Sequence, residues 1–558
     1  MKHLLLAASV ASVIACAPAP ALAQIAAPSA PMLALKIKPT LLDVAGGTAT
    51  LEVTMMVDGV MTPAGSPVLT HLNGAPNITQ PFRVEELTAT DDQGDVSLAS
   101  ADGGQTYTAS RDVVGKLSVS YRRPISAATG GSLSTIPTVD GAGVSGIANM
   151  LFPLPTSSQR YHLTMDWDLS SMPAGSSAVT SVGEGLHIDA PSVPMAKLNY
   201  IMMMAGQIKR EPDPPVGAFT AVWTGNPTFD ARTTMQWASR LHHYMSQFFG
   251  DPVELPYHVF MRAHRGGNGV AAPMAFTFGF NERTTPEGVQ SLLGHEMTHT
   301  WTAADIGKWY SEGNAVYYQT LLPWRAGMVS SEKRLTDINL TATRYYTNDV
   351  LDAPDSDILP KFWSDMRYNV LSYDRGALYF AVLDGKIRRK SSGVRSIDDL
   401  VRAMVQLARD DDATITEETW TDMLQAELGD EGLAIHRGMM AGTLRLEPES
   451  GDYGPCFRRI STQIGRYDVG FGGPEIKNRT VVEGLRPDSN AARAGLREGD
   501  RITVQTSTDG AQRNPDVPLV VHVTRGDQTL DVTYIPRGEL RDVYQWERVP
   551  GVPESACR

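Results

Sequence analysis

Between Leu33 and Ile201, hydrophobic and polar residues alternate in short runs, as in Thr48-Ala-Thr-Leu-Glu-Val-Thr54 and Lys116-Leu-Ser-Val-Ser-Tyr121. Turn-forming clusters such as Asp102-Gly103-Gly104 separate them. A period of two in Val- and Thr-rich segments predicts strands with one buried face, so this stretch reads as an antiparallel β domain. Beyond the proline-rich Glu211-Pro-Asp-Pro-Pro215 the period lengthens. Met235, Leu241, Tyr244, Met245 and Phe248 fall at helical spacing and read as core. Strand-like runs at Tyr257–Met261 and Met274–Phe280 come next, then helical patterns from Thr285 to about Leu446. A second boundary near Pro448–Pro455 leads back to short strands between about Ile464 and Pro536. The expected architecture is a multidomain α+β chain, with an N-terminal β-rich domain at 24–215, a mainly helical domain at 216–455, and a β domain with tail at 456–558.

The first residues follow another pattern. Lys2 and His3 precede an apolar run from Leu4 to Ala15, and small residues end in Ala21-Leu22-Ala23-Gln24. A charged start, a short apolar run and an A-x-A site make residues 1–23 a secretory signal, and the expected location is exported, periplasmic in a bacterial cell. Val13-Ile14-Ala15-Cys16 offers a second reading, a lipid anchor at Cys16. The run is too short to serve as a transmembrane span, and no later stretch reaches that length. A formal net charge of −13, spread along the chain, argues against nucleic acid or an anionic membrane as partner. After cleavage only Cys456 and Cys557 remain. In an oxidising compartment they pair around the last hundred or so residues, or else they stay as two free thiols, and their spacing excludes a cysteine zinc cluster.

The candidate chemistry lies in Gly294-His295-Glu296-Met297-Thr298-His299-Thr300-Trp301. Thr285-Pro286-Glu287 upstream is a helix start: a capping hydroxyl, a proline at the first helical position and an acid in the first turn. Val289, Leu292, Leu293 and Met297 keep helical spacing through the motif. His295 and His299 then stand one turn apart on one face, where both imidazoles reach a single Zn2+. Glu296 between them is the general base. Two carboxylates compete for third ligand. Asp305 lies six residues past His299, but the design that uses such a ligand needs a glycine where this chain has Thr302. Glu312, in Trp309-Tyr-Ser-Glu-Gly-Asn-Ala-Val-Tyr-Tyr-Gln319, opens the next helix and is preferred.

His295-Glu296-x-x-His299-x-Trp301 with Ser311-Glu312-Gly313-x-x-x-Tyr317-Tyr318 resembles the glycyl aminopeptidase family of gluzincin zinc metallopeptidases. Tyr373-Asp374-Arg375-Gly376, Leu383-Asp384, Ile387-Arg388-Arg389, Ser396-Ile-Asp-Asp-Leu400 and Ile415-Thr-Glu-Glu-Thr-Trp420 extend the likeness, with Arg375 where the family has Lys. The resemblance implies a thermolysin-like catalytic domain with one Zn2+ held by His295, His299 and Glu312, Glu296 as acid/base, and Tyr373 steadying the oxyanion of the tetrahedral intermediate. It also implies that the last segment is a PDZ domain. Ala491-Ala-Arg-Ala-Gly-Leu-Arg-Glu-Gly-Asp-Arg-Ile502 looks like its helix, turn and strand, Val520–Arg525 and Leu530–Tyr534 like its closing strands, and Asp468–Gly473 like its carboxylate-binding loop for a peptide ligand. The chain departs from related aminopeptidases in one respect. No glutamate occurs between Glu254 and Glu282, where theirs binds the free amino terminus of the substrate. The expected function is thus hydrolysis of peptide or polypeptide substrates, as an aminopeptidase of the glycyl aminopeptidase type. The alternatives are an endopeptidase of the same mechanism and a peptide-binding protein whose peptidase domain has decayed.

Overall fold

The computed structural model describes residues 30–71, 84–126, 136–264, 269–272, 274–302, 304–410, 413–473, 479–504 and 508–557. The expected signal segment and Cys16 lie outside the described residues, as do 265–268 and Pro273 within the stretch that lacks a glutamate.

Alternation builds the first sheet, of seven strands. At its centre Met32–Asp43, Thr48–Thr62 and Val113–Ile125 run antiparallel. Leu51, Val53, Met55 and Val57 of the middle strand are buried, whereas Glu52 between them faces water. The sheet is not purely antiparallel, however. Met32–Asp43 pairs in parallel with Arg160–Trp167, Met32 opposite His162 and Ile37 opposite Trp167. Parallel neighbours are joined by long connections, so local alternation carries no trace of this pairing.

A five-stranded sheet has Met202–Gly206 between Ser177–Thr180 and Gly143–Ile147. Met202 and Met204 share an apolar cluster with Val222, Phe260 and Ala275, so this sheet packs against the next one. Polar contacts join the same two layers: the buried Arg262 donates to Ser145 Oγ at 3.0 Å, and Asp140 Oδ2 accepts from the Ala263 amide at 2.8 Å.

That next sheet has the order Lys209–Glu211, Phe219–Trp223, Tyr257–Ala263, Ala275–Phe280, Gly269–Ala272, and its three inner strands are parallel. Strands covered on both faces need near-continuous apolar sequence, which Tyr257–Met261 and Ala275–Phe280 supply. Helix α1 (Ala231–Phe249) makes the crossover between the first two inner strands. Asp230 caps it through the Thr233 amide, and Gly250 ends it at φ 74°. Four further long helices follow: α2 (Pro286–Thr302), α3 (Lys308–Arg325), α4 (Ser331–Tyr346) and α5 (Met366–Lys390). Among the described residues no helix is long and apolar enough to cross a membrane.

Cys456 and Cys557 form a disulfide, and both are buried in the same apolar cluster as these helices. From it a two-stranded ribbon, Phe457–Tyr467 with Arg537–Arg548, leads to a three-stranded sheet of Arg501–Val504, Leu519–Arg525 and Gln528–Tyr534. Short helix α6 (Asp509–Arg513) lies in the connection between the first two of those strands. The loop at Asp468–Gly473 does not match the expected carboxylate cradle at two of its amides. The Gly470 N–H donates to Asp468 Oδ1 at 2.8 Å and the Gly472 N–H to the Glu483 carbonyl at 2.7 Å, so the loop binds its own chain there.

The disulfide closes a loop of sequence separation 101. Loop-closure entropy at that length stabilises the folded state by about 5 kcal/mol. The double variant C456S/C557S is expected to lose about that much in urea unfolding; a change within error of zero would mean the bond constrains nothing in the unfolded chain.

Candidate active site

Helix α2 begins as its sequence dictates. The Gly288 amide donates to Thr285 Oγ1 at 3.1 Å, and Pro286 takes the first helical position, where no N–H is needed. Val289, Leu293 and Met297 are buried on one side. Trp301 stacks on Phe249 with ring centroids 5.0 Å apart and donates its indole N–H to Asp251 Oδ2 at 2.9 Å, which fixes the rotation of the helix end. His295, Glu296 and His299 occupy another side, each half-buried.

The structure brings His295, His299 and Glu312 together. Their ligand atoms form a nearly equilateral triangle: Nε2 to Nε2 is 3.3 Å, and Glu312 Oε2 is 3.4 Å from each ring nitrogen. Tetrahedral ligation at the 2.0–2.1 Å typical of zinc has edges of about 3.3–3.4 Å, so the donor set fits that ion. The His295 tautomer fits it too. Nδ1 lies 3.0 Å from Gln319 Oε1, and a carbonyl oxygen only accepts; the proton is therefore on Nδ1 and the Nε2 lone pair faces the cluster. Asp305, the competing carboxylate, is exposed in the turn before α3 and is outside the triangle. Lys308 holds the second oxygen of Glu312, with Nζ 3.5 Å from Oε1.

The ligands can meet because the helices touch backbone to backbone. A Cβ on Gly294 would stand 2.7 Å from the Gln319 carbonyl oxygen, and one on Gly313 would stand 2.6 Å from Gly376 Cα. The three glycines each sit within three residues of a site residue: Gly294 precedes His295, Gly313 follows Glu312, and Gly376 lies three after Tyr373. The α3–α5 crossing brings Tyr373 over the site, its ring stacked on His295 with centroids 5.9 Å apart. Arg375, next but one along α5, is a buried structural residue that donates to the Ala353 carbonyl at 2.6 Å and to Asp355 at 3.0 Å.

Electrostatics separate the three oxygen acids. Burial opposes ionisation of Glu312, but the facing His295 and His299 rings outweigh it and hold the carboxyl well below its usual range. Burial raises the Glu296 carboxyl, against the pull of both histidines. Burial, then the nearby charges of Glu312 and Glu296, push the Tyr373 hydroxyl well above the ordinary tyrosine value, so it stays a proton donor.

Gln319 and the glycine contacts went unassigned in the sequence. Gln319 had a readable signal, since it follows Glu312 by seven residues, two turns along the same helix face. The glycine contacts had none, because each joins segments distant in sequence.

No family model matches this sequence, and no curated protein matches it. Solved structures do. An aminopeptidase N family protein from Idiomarina loihiensis superposes with a TM-score of 0.65 at 15% identity, over 93% of this chain and 98% of its own. An M1 zinc metallopeptidase from Deinococcus radiodurans gives 0.49 at 17% identity, over 76% of this chain and 97% of its own. The first likeness spans both chains almost whole, and it establishes the fold: β sheets first, a helical body after them, as in a protein of the aminopeptidase N family. Within that fold the described residues hold one His-His-Glu group able to ligate a metal.

Replacing Gln319 by Leu removes the acceptor that fixes the His295 tautomer. Zinc affinity of Q319L, read by competition with a chromophoric chelator, is expected to fall by about 10- to 100-fold; equal affinity would exclude that role. Gly376→Ala overpacks the α3–α5 contact and is expected to cost about 1–3 kcal/mol in thermal denaturation. A variant as stable as the parent would mean the helices separate freely there.

Proposed function

We propose that this chain is a zinc-dependent metallopeptidase that hydrolyses peptide bonds beside His295, His299 and Glu312. The near-equilateral donor triangle, with His295 fixed in the ligating tautomer, carries the reading. One Zn2+ would be held by these three side chains, and what it supplies when bound is Lewis-acid activation of water and of the scissile carbonyl. Glu296, on the same helix turn, takes the proton of the attacking water at its carboxylate and passes it to the leaving nitrogen. Burial raises its carboxyl and makes it a better base than an exposed glutamate. Tyr373 donates its hydroxyl hydrogen to the oxygen that gains charge as the carbonyl is attacked, and its raised pKa keeps that hydrogen in place.

The His-Glu-x-x-His and Ser-Glu-Gly motifs support an aminopeptidase of the glycyl aminopeptidase type, with the last segment as a PDZ-like domain that takes an extended peptide. The missing glutamate between Glu254 and Glu282 favours a second reading, an endopeptidase of the same mechanism. The complete ligand set with Glu296 speaks against a decayed, purely peptide-binding protein. The signal-like residues 1–23 and the Cys456–Cys557 disulfide support export.

The test is mass spectrometry of a peptide pool, half of it N-acetylated, after incubation with zinc-loaded protein. Cleavage abolished by chelator is expected. Restriction to unblocked ends supports the aminopeptidase, cleavage of both halves the endopeptidase, and no cleavage overturns the enzymatic reading. Glu296→Gln is expected to keep its zinc and lose about 10²- to 10⁴-fold in turnover; an unchanged rate would remove Glu296 from the mechanism.

A further inference from the structure

Helix α5 carries Tyr373 on one side and Asp374 on another. Asp374 is buried, with 1% of its side chain exposed, and it is met by Arg344 from α4 in a two-bond pair: Nε to Oδ2 at 2.6 Å and Nη2 to Oδ1 at 2.9 Å. The third guanidinium donor, Nη1, reaches past α4 to Asp509 Oδ1 at 3.0 Å. Asp509 opens α6 in the C-terminal segment, and Arg513 of the same short helix lies within charge range of Asp374 and Arg344. The C-terminal segment thus supplies one carboxylate and one guanidinium to this junction.

The segment also grips α4 elsewhere. Ser331 at the start of α4 donates Oγ–H to Glu554 Oε1 at 2.8 Å, and its middle residue Asn339 exchanges two hydrogen bonds with the Trp546 backbone at 2.8 and 2.9 Å. Beyond its end, Asp349 receives Arg541 at 2.7 Å and Arg466 at 3.0 Å. These contacts tie the C-terminal segment to α4 from its first residue to just past its end. Meanwhile the Gly470 and Gly472 amides of the loop expected to bind a ligand carboxylate are occupied by the chain itself.

We propose that the C-terminal segment is part of the catalytic unit, with Asp509 a positioning residue that acts through Arg344 and Asp374 on the turn of α5 carrying Tyr373. The proposal rests on the peptidase reading above for its kinetic consequence, but not for its structural one. Removal of the Asp509 carboxylate leaves Arg344 Nη1 without its partner and weakens the hold on Asp374. Tyr373 then samples more positions over His295, and stabilisation of the transition state falls while ground-state binding does not.

The experiment uses the full-length, zinc-loaded protein with D509A, D509E, Y373F and the double variant D509A/Y373F. D509A is expected to lower kcat by about five- to tenfold, with KM and zinc content unchanged. D509E restores most of the loss, because its carboxylate still reaches Arg344. In the Y373F background D509A costs nothing further, the signature of action through Tyr373. Amide hydrogen exchange over residues 366–376 is expected to accelerate in D509A while 286–302 keeps its protection, a readout independent of turnover. Unchanged kcat and exchange in D509A would overturn the proposal. So would zinc loss in D509A, or an equal further loss in the Y373F background, since each places the effect elsewhere. An inactive wild type would sink the peptidase reading and leave the exchange measurement to decide the coupling by itself.

Discussion

Two imidazole nitrogens and a carboxylate oxygen face one another across 3.3–3.4 Å, and the packing around them keeps these lone-pair donors in company they would otherwise leave. Such a group stays converged only if the elements that carry it cannot move apart. Here the restraint is steric. The α2–α3 and α3–α5 contacts are so close that no side chain fits at Gly294, Gly313 or Gly376. Each glycine lies beside a residue of the site, so the closest approaches of the helices and the convergence of their functional groups are one geometric fact. The aromatic core around Trp309, Tyr310, Phe380 and Trp420 packs α3 against α5.

The β layers before the helices contribute through the sheet they cover. The three inner strands of the sheet behind α1 are buried on both faces, and the Met202–Gly206 sheet closes the far side through Met202 and Met204. Arg262 and Asp140 then cross the junction with hydrogen bonds, which keeps the polar groups at that buried boundary partnered. The site helices are therefore packed against a support that is itself fixed from behind.

Much of this was legible because it is local. Period-two alternation in Thr48–Thr62, the Thr285-Pro286 helix start and the four-residue spacing of His295 and His299 each need only neighbouring residues to be read. The site became less legible as its contacts lengthened. Glu312 could be placed on the next helix from its surroundings, but the seven-residue step to Gln319 was left without a role. The Arg344–Asp374–Asp509 chain joins residues 30 and 165 positions apart and has no sequence signature at all. The parallel pairing of Met32–Asp43 with Arg160–Trp167 was missed for the same reason: alternation says which face is buried, not which strand lies alongside. The loop at Asp468–Gly473 is a different case. It was read from its likeness to a ligand loop, and two of its amides pair with Asp468 and Glu483 of the chain itself.

The attachment of the C-terminal segment along α4 has a mechanical consequence. Ser331 touches it near the disulfide and Arg344 touches it at α6, thirteen residues further on, which at the helical rise is a separation of about 20 Å. The disulfide end is sunk in the core, and α6 meets α4 near its other end. Over that length a tilt of about three degrees corresponds to about 1 Å, enough to break the 3.0 Å contact between Arg344 and Asp509. The outlying three-stranded sheet and the helix of Tyr373 are thereby joined side chain to side chain, through Asp509, Arg344 and Asp374.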